Sequence, residues 1–417
     1  MGGCQSSHAA ATLSANDAAP VKVLVTMDPG QDLDDEIFMV LSAALTSRHL
    51  CEIVGIVTCL APATMRARLA RGTMDQLGMY DVHIAAGTDG GGSGDASSIA
   101  KMAAVDYLTR LPPQEEAGHD LMRNALSEAE DKSVTIAVIA SLKDVANLLA
   151  KEEALFFQKV KEVVIMGGVL PFTPGEAPMG EFLMPDSAHN NEFDSEASAF
   201  VYRRLQEIGT PLVVVSRFAA YACQLPKKLY DRMGETGSRI GKHLQWAQRQ
   251  SIETLWQRAC APEGSETRHG LPMRCDKKWF LQTFCHASLE AGEVRGANDA
   301  IWDLIEGFNM YDPLALCVAV PSLSEMFVPC EYTVNGITHR VYGVSKEENG
   351  VRDANALREW LLDAFMQGIR QSEAISESAA TKEVRALRAE VKKLRAQLEA
   401  ANAQIDKVSQ ISATVVV

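Results

Sequence analysis

The strongest constraint on the fold is an alternation of short, β-branched apolar runs with segments of helical periodicity. Six runs predict strands, at residues 22–27, 52–58, 83–86, 134–139, 162–166 and 211–215. Helical patterns lie between them, at residues 36–45, 63–77, 142–151 and 195–207. This order is typical of βαβ units, whose strands pair in parallel. We therefore expect an α/β fold, with a mainly parallel central sheet and helices on both faces.

Composition narrows the class of protein. The 417 residues, 47% of them hydrophobic, suffice for one large domain with appendages. A net charge of −14 argues against a nucleic-acid partner, because phosphate backbones attract basic surfaces. Nine cysteines without a C-x-x-C pair favour a reduced, cytoplasmic setting, and no apolar run reaches the roughly 18 residues of a membrane-spanning helix.

The first residues resemble an acylation signal. Gly2 after the initiator methionine, with Ser6 following, satisfies the myristoylation pattern, and Cys4 is a candidate palmitoylation site. A second acyl chain matters because one myristoyl group binds bilayers only marginally. We predict a disordered, acylated leader over residues 1–20 that attaches the protein to the cytoplasmic face of a membrane; the alternative is an accidental match.

The last part of the chain has a heptad pattern. Apolar residues recur at alternating steps of three and four within residues 381–412, between charged positions. This pattern predicts a coiled-coil helix that makes a homo-oligomer or binds a coiled-coil partner; the alternative is an amphipathic helix folded onto the domain. A polar hinge is expected over residues 372–380, which leaves residues 21–371 as the main domain.

An acidic segment follows the first predicted strand. Four aspartates, Asp28, Asp32, Asp34 and Asp35, lie within eight residues where a buried strand meets a helix. Hard carboxylate ligands suit Ca²⁺ or Mg²⁺. An EF-hand is excluded because Leu33 stands where its loop needs glycine. Helix capping alone requires one aspartate rather than four, so we favour a metal site.

Five ordered motifs resemble those of the inosine/uridine-preferring nucleoside hydrolases, so the chain is identified as a divergent member of that family. They cover about residues 21–370 and comprise Asp28-Pro29-Gly30 with Asp34-Asp35, the turn at 139–146, the Met-Gly-Gly strand end at 163–168, the Asn-containing segment at 190–197, and Tyr311-Asp312-Pro313-Leu314-Ala315.

The resemblance implies roles for individual residues. Calcium would be held by Asp28, Asp35 and Asp312 and by the backbone carbonyl of Ile139. Asp28 would also act as the catalytic base that accepts a proton from a metal-bound water. The resemblance also implies four substrate-binding residues, which are Asp34, Asn190, Tyr311 and Asp312.

Several positions depart from the family pattern. Two extra residues separate Asp28 from the Asp-Asp pair, so Asp32 competes with Asp34 and Asp35 for their roles. Ala61-Pro62 stands where the family has glycine-asparagine, which removes an amide that contacts ribose. Tyr311 stands where the family has histidine, and a tyrosine hydroxyl is a poorer acid.

The segment that contacts substrate departs as well. Ala188 replaces a family glutamate, with Asp186 nearby as a candidate substitute, and His189 is a candidate for assisting the leaving group. Trp279 and Phe280 either stack on a base or belong to the core.

The resemblance implies a hydrolase that cleaves the N-glycosidic bond of a ribonucleoside to free base and ribose. Two alternatives stay open, namely hydrolysis of another ribosyl conjugate and a catalytically silent calcium- or ribose-binding scaffold localised by its lipids and coiled coil. Base specificity is not determined by these residues.

Overall fold

The computed structural model describes residues 19–377, apart from 31, 92–98, 100–101, 109–116, 173–181, 269–270 and 287–288, together with 387, 390, 391, 393 and 394. Residues 1–18 of the predicted leader, with Gly2 and Cys4, lie outside the described residues, and so does most of the predicted coiled coil. In the described part of the chain no helix is long and apolar enough to cross a membrane.

The described residues form ten strands, which build an eight-stranded sheet and a two-stranded ribbon. The strands are β1 Val21–Met27, β2 Cys51–Thr58, β3 Ile84–Ala86, β4 Val134–Val138, β5 Val160–Gly167, β6 Leu212–Ser216, β7 Leu225–Pro226, β8 Gly307–Phe308, β9 Cys330–Val334 and β10 Ile337–Tyr342. The sheet order is β3-β2-β1-β4-β5-β6-β10-β9, and β7 pairs with β8. Every pairing in the large sheet is parallel except that of β9 with β10.

The described part of the chain contains fourteen α-helices. They are α1 Asp34–Ser47, α2 Ala63–Gln76, α3 Gly118–Glu128, α4 Lys143–Lys151, α5 Glu153–Lys159, α6 His189–Glu192, α7 Ser195–Ile208, α8 Arg217–Ala222, α9 Lys228–Glu235, α10 Arg239–Cys260, α11 Lys277–Phe284, α12 Leu289–Glu293, α13 Asp312–Ala319 and α14 Ala354–Glu377. Short 3-10 helices lie at Glu266–Arg268, Trp302–Leu304 and Pro321–Met326.

The two faces of the sheet bury separate cores. Residues of α1, α2, α13 and α14 pack on one face, and residues of α3, α4, α5 and α7 pack on the other. Strands β4 and β6 are buried at every position, as expected where helices cover both faces. The structure thus confirms the predicted α/β fold with a mainly parallel sheet.

The structure differs from the sequence expectations at two places. Helix α14 continues through Glu377, so residues 372–377 are helical where a polar hinge was expected. The antiparallel hairpin of β9 and β10 was not predicted, although Asn335-Gly336 between two alternating runs is a strong hairpin signal. The eight described cysteines, which exclude Cys4, are free thiols.

Parallel pairing places the site. Strands β1, β4, β5 and β6 are neighbours, so the segments that follow them emerge at one edge of the sheet. In such sheets ligands bind outside the carboxyl ends of the strands.

Candidate active site

The segment after β1 turns back against the start of α1. The backbone N–H of Asp28 donates to Asp35 Oδ1 at 2.9 Å, which closes the loop between strand and helix. Gly30 has a φ of +104°, and a Cβ there would lie 2.4 Å from Met102 Cγ. Glycine is therefore required both by the backbone conformation and by the close approach of Met102.

Three aspartates of this loop form a compact group. One carboxylate oxygen from each of Asp32, Asp34 and Asp35 lies within 4.8 Å of the others. Asp35 is buried, Asp34 is half-buried and Asp32 is exposed. Their position in and before the first turn of α1 is favourable because the helix N-terminus carries a partial positive charge.

Asp312 joins this group from far along the chain. It is the first residue of α13, with Pro313 next in the first turn, and it is 4% exposed. Burial raises the pKa of Asp312 well above its usual value, and the negative charges of Asp34 and Asp35 raise it further. We call Asp28, Asp34, Asp35 and Asp312 the acidic cluster.

The acidic cluster concentrates negative charge in a buried place. Burial is the largest cause of the raised pKa of Asp28, Asp34 and Asp35, and neighbouring carboxylates add to it in each case. Uncompensated buried charges of one sign are costly, and a divalent cation would neutralise them. A donor set of carboxylate oxygens is the one that Ca²⁺ or Mg²⁺ prefers, so these residues fit the predicted metal.

Ile139 lies at the end of β4, the strand that pairs with β1. It follows β4 and is 1% exposed, and its backbone N–H donates to the Thr26 carbonyl at 3.0 Å. This bond holds the end of β4 next to the end of β1, where Asp28 follows.

Arg66 is a part of the site that the sequence analysis missed. This side chain of α2 is 2% exposed, and its guanidinium donates to the carbonyl oxygens of Asp28 at 2.5 Å and Pro29 at 2.8 Å. Its charge also counteracts the rise in the pKa of Asp28. The available signal was an arginine whose neighbours three and four residues along the helix, Leu69 and Ala70, are apolar core residues.

Glu36 was also missed. It directly follows Asp34-Asp35 and is 1% exposed, and neither carboxyl oxygen has a hydrogen-bond partner among the described residues. Burial raises the pKa of Glu36 to about 8. The site thus contains one more buried carboxyl group than the family motifs indicated.

The segment 186–194, called the substrate loop below, packs on the end of β5. The Asn190 amide donates to the Met166 carbonyl at 3.0 Å, and the Asn191 amide donates to the Gly168 carbonyl at 3.1 Å. A Cβ at Gly168 would lie 2.4 Å from Asp186 Oδ1. The Met-Gly-Gly motif therefore lets this loop approach the strand, two strands along the sheet from Asp28.

Tyr311 directly precedes Asp312, and the charge of Asp34 acts on its hydroxyl. Asn309 Nδ2 donates to the Tyr311 hydroxyl at 3.3 Å, and the ring meets that of Tyr221 edge-on at 6.3 Å between centroids. Burial raises the pKa of Tyr311 well above its usual value, so the hydroxyl stays protonated at physiological pH.

An open cleft of about 470 Å³ adjoins the substrate loop. His189 packs at a tilt against Phe193 there, with 4.4 Å between ring centroids, and Met273 and Arg274 also line the cleft. Phe280 is not part of this cleft. It is fully buried against Trp256, so Phe280 belongs to the core and does not stack on a base.

Comparison with known proteins agrees with this architecture. A family model described as inosine-uridine preferring nucleoside hydrolase matches residues 23–391. The type III effector protein XopQ, solved with adenosine diphosphate ribose, is 27% identical, with a TM-score of 0.68 over 86% of this chain and 95% of that one. No match was found among curated proteins.

More distant solved structures show the same fold. The purine-preferring ribonucleoside hydrolase from Gardnerella vaginalis is 14% identical, with a TM-score of 0.52 over 84% of this chain and 99% of that one. A plant nucleoside hydrolase is also 14% identical, with a TM-score of 0.51 over the same shares. Since the family model spans most of the sequence, this chain belongs to the inosine-uridine preferring nucleoside hydrolase family.

Proposed function

We propose that the protein hydrolyses the N-glycosidic bond of ribonucleosides to free base and ribose, with Ca²⁺ as its cofactor. The observation that carries this proposal is the acidic cluster, in which segments of the chain almost 280 residues apart bring buried carboxyls together. Structural carboxylates are rarely buried together without cations to pair them.

The proposed metal ligands are the carboxylates of Asp28, Asp35 and Asp312 and the carbonyl of Ile139. A calcium ion bound there would make a water more acidic and would orient the ribose diol. The Asp28 carboxylate accepts the proton of the attacking water. Arg66 holds the two backbone carbonyls that directly follow the Asp28 side chain, which restricts the position of the base.

The remaining groups act on the sugar and the base. Asp34 and Asn190 hold ribose hydroxyls, and the negative cluster favours the positive charge that develops on the ring as the bond breaks. The protonated hydroxyl of Tyr311 donates a hydrogen bond towards the departing base.

A second candidate substrate is a larger ribosyl conjugate. The structure of the effector protein XopQ contains adenosine diphosphate ribose, and XopQ resembles this chain more than the nucleoside hydrolases above do. The site also lacks the family's glutamate near the ribose, because Ala188 stands there. Both observations favour a substrate that extends beyond the nucleoside.

The experiment is an incubation of purified protein with inosine, uridine, adenosine and adenosine diphosphate ribose, each with calcium or with a chelator. Chromatography of the products should show free base in calcium and none in chelator. Asp28→Asn should abolish release, whereas Asp81→Asn, at an exposed aspartate remote from the acidic cluster in sequence, should not. Equal turnover in Asp28→Asn would overturn the mechanism, and no product from any compound would support the silent scaffold.

A further inference from the structure

Both carboxyl oxygens of Asp186 are engaged within the protein. Oδ1 accepts from the Ala188 N–H at 2.8 Å and from the Asn191 amide at 3.3 Å. Oδ2 lies 3.3 Å from the Arg217 guanidinium. Asp186 therefore organises the substrate loop and holds Arg217, and it does not take the place of the family glutamate that Ala188 replaces.

Arg217 occupies the next strand end along the same edge. It directly follows β6, whose Ser216 lies opposite Gly167 of β5 in the parallel pair. The substrate loop packs on that end of β5, so the Asp186–Arg217 ion pair bridges the segments after two adjacent strands. Arg217 therefore lies on the side of the site where the substrate loop carries Ala188 in place of the family glutamate.

The helix that begins at Arg217 also reaches the acidic cluster. Tyr221 is four residues further along α8, so it lies on the same side of the helix as Arg217. Its ring contacts Tyr311, which precedes Asp312. One side of α8 therefore runs from the substrate loop to the acidic cluster, and a ribose held between Asn190 and Asp312 would lie along it.

The Arg217 side chain is 35% exposed, so its guanidinium reaches the open edge while Asp186 fixes its direction. A guanidinium carries five N–H donors, of which the pair with Asp186 uses one side. Its planar fork matches the oxygens of a phosphate group, which accept two hydrogen bonds at once. Alanine at residue 188 removes a carboxylate that would repel such a group.

We propose that Arg217 binds a phosphate attached to the 5′ oxygen of the ribosyl group, so that the site prefers 5′-phosphorylated ribosyl compounds over plain nucleosides. This inference rests on the proposed function and names its substrate class. With adenosine 5′-monophosphate, the bond from C1′ to the base nitrogen breaks, water oxygen bonds to C1′, and a water proton goes to the base. The products are adenine and ribose 5-phosphate.

The test compares adenosine with adenosine 5′-monophosphate in the calcium-loaded protein. Arg217→Gln should lower kcat/KM for the monophosphate about 10- to 100-fold more than it lowers kcat/KM for adenosine, the size expected for a charge-assisted pair of hydrogen bonds. Arg217→Lys should lie between. The matched control is Arg204→Gln, because Arg204 is equally exposed and is paired with Glu153 on α5. It should leave the preference intact.

Binding measured by calorimetry distinguishes a failure of the proposed hydrolase function from a failure of the proposed phosphate binding by Arg217. If the wild-type protein cleaves neither compound but binds the monophosphate more tightly in an Arg217-dependent way, the proposed function fails and this inference stands. If both compounds are cleaved or bound with a ratio that Arg217→Gln does not change, the inference is overturned while the proposed function stands.

Discussion

The acidic cluster and the substrate loop share one edge of the sheet but are held in different ways. Three of the four aspartates come from one short loop, and their positions are set by contacts in the buried interior, such as the bond from Asp28 to Asp35. The substrate loop is half-exposed, and it is held by bonds to strand carbonyls and by the pair of Asp186 with Arg217. Departures from the family occur in both regions, with Ala188 in the substrate loop, and Tyr311 and the two extra residues after Asp28 beside the acidic cluster.

This difference indicates that bond cleavage and substrate choice are separately encoded. A buried group of like charges tolerates few changes, because each carboxylate shifts the pKa of the others. An exposed loop tolerates replacement more readily, since its side chains exchange protein contacts for water. Mutations in the acidic cluster should therefore affect every substrate, and mutations around the substrate loop should affect some substrates more than others.

The largest effect is expected for Asp312→Asn. Loss of this carboxylate should lower turnover of all substrates by about 10³-fold, since metal ligands supply several kcal/mol of transition-state stabilisation. Calcium affinity, measured by calorimetry, should fall in parallel. The calcium-free variant should be more stable to heat than calcium-free wild type, because one buried like charge is removed.

Asp81→Asn serves as the control, since it changes an exposed aspartate and should alter neither affinity nor melting temperature. Wild-type calcium affinity in Asp312→Asn would remove this residue from the metal site. A loss of turnover confined to one substrate would contradict the proposal that the acidic cluster serves bond cleavage and the substrate loop serves substrate choice.

Arg66→Ala should have the next largest effect. It leaves the carbonyls of Asp28 and Pro29 without their donor, so we expect about 3 kcal/mol lower stability and a weaker calcium complex. Arg66→Lys keeps the charge with a single nitrogen and should recover part of the affinity. Denaturant unfolding and calcium calorimetry measure the two effects separately.

The control for Arg66 is Arg68→Ala, two residues further along the same helix and half-buried. If both Arg66 variants bind calcium as the wild type does, the contact is purely structural. If Arg66→Lys folds normally yet loses calcium, the position of the loop is what the arginine provides.

Tyr311→Phe tests the substrate side and should have a smaller effect. Burial keeps the hydroxyl protonated, so it offers a hydrogen bond to the departing base but is a weak acid. Loss of one neutral hydrogen bond corresponds to roughly a 2- to 10-fold lower kcat, and the factor should differ between purine and pyrimidine substrates. Tyr332→Phe, at a half-buried tyrosine of β9, is the control.

A loss of 10³-fold in Tyr311→Phe would instead make this tyrosine the principal acid of the reaction. An equal factor for every base would count against its contact with the leaving group. Either result would move Tyr311 from the substrate side to the part of the site that breaks the bond.

The predictability of the fold follows the same division. Strands β1, β4 and β6 lie within one residue of their predicted bounds, because long buried β-branched runs carry the signal locally. Helix α1 begins two residues earlier than predicted, at Asp34, because its first turn is acidic rather than apolar. The strands that form this edge of the sheet, and the aspartates of the loop after β1, could therefore be predicted from the sequence.

The parts that sequence reasoning missed depend on contacts between distant segments. Arg66 belongs to another helix than the loop it holds, and the pairing of Arg217 with Asp186 joins residues 31 positions apart. Burial of Glu36 also results from packing around it, since an isolated helix would expose a charged residue at its start. Local periodicity carries no information about such pairs.

The smallest effect on turnover is expected for a substitution of His339. This residue matters for pH profiles of activity, because its titration would change stability in acid without involving the acidic cluster. This histidine of β10 is fully buried, and its Nδ1 accepts from the Leu212 N–H at 3.0 Å. Burial lowers its pKa to about 4 from the ordinary 6.5. Between pH 4 and 6.5 this histidine is protonated in the unfolded chain but neutral in the folded protein. Its contribution to the free energy of unfolding is therefore fully present above pH 6.5 and is lost as the pH falls towards 4.

The slope is at most about 1.4 kcal/mol per pH unit for one such group. His339→Asn retains an acceptor for Leu212 but does not titrate, so its thermal unfolding should depend less on pH between 4 and 6.5 than that of wild type. Turnover at pH 7 should be unchanged. If the two proteins lose stability identically over this window, the acid sensitivity belongs to other groups; if they differ as expected, acid inactivation of the wild type reports partly on a histidine remote from the acidic cluster.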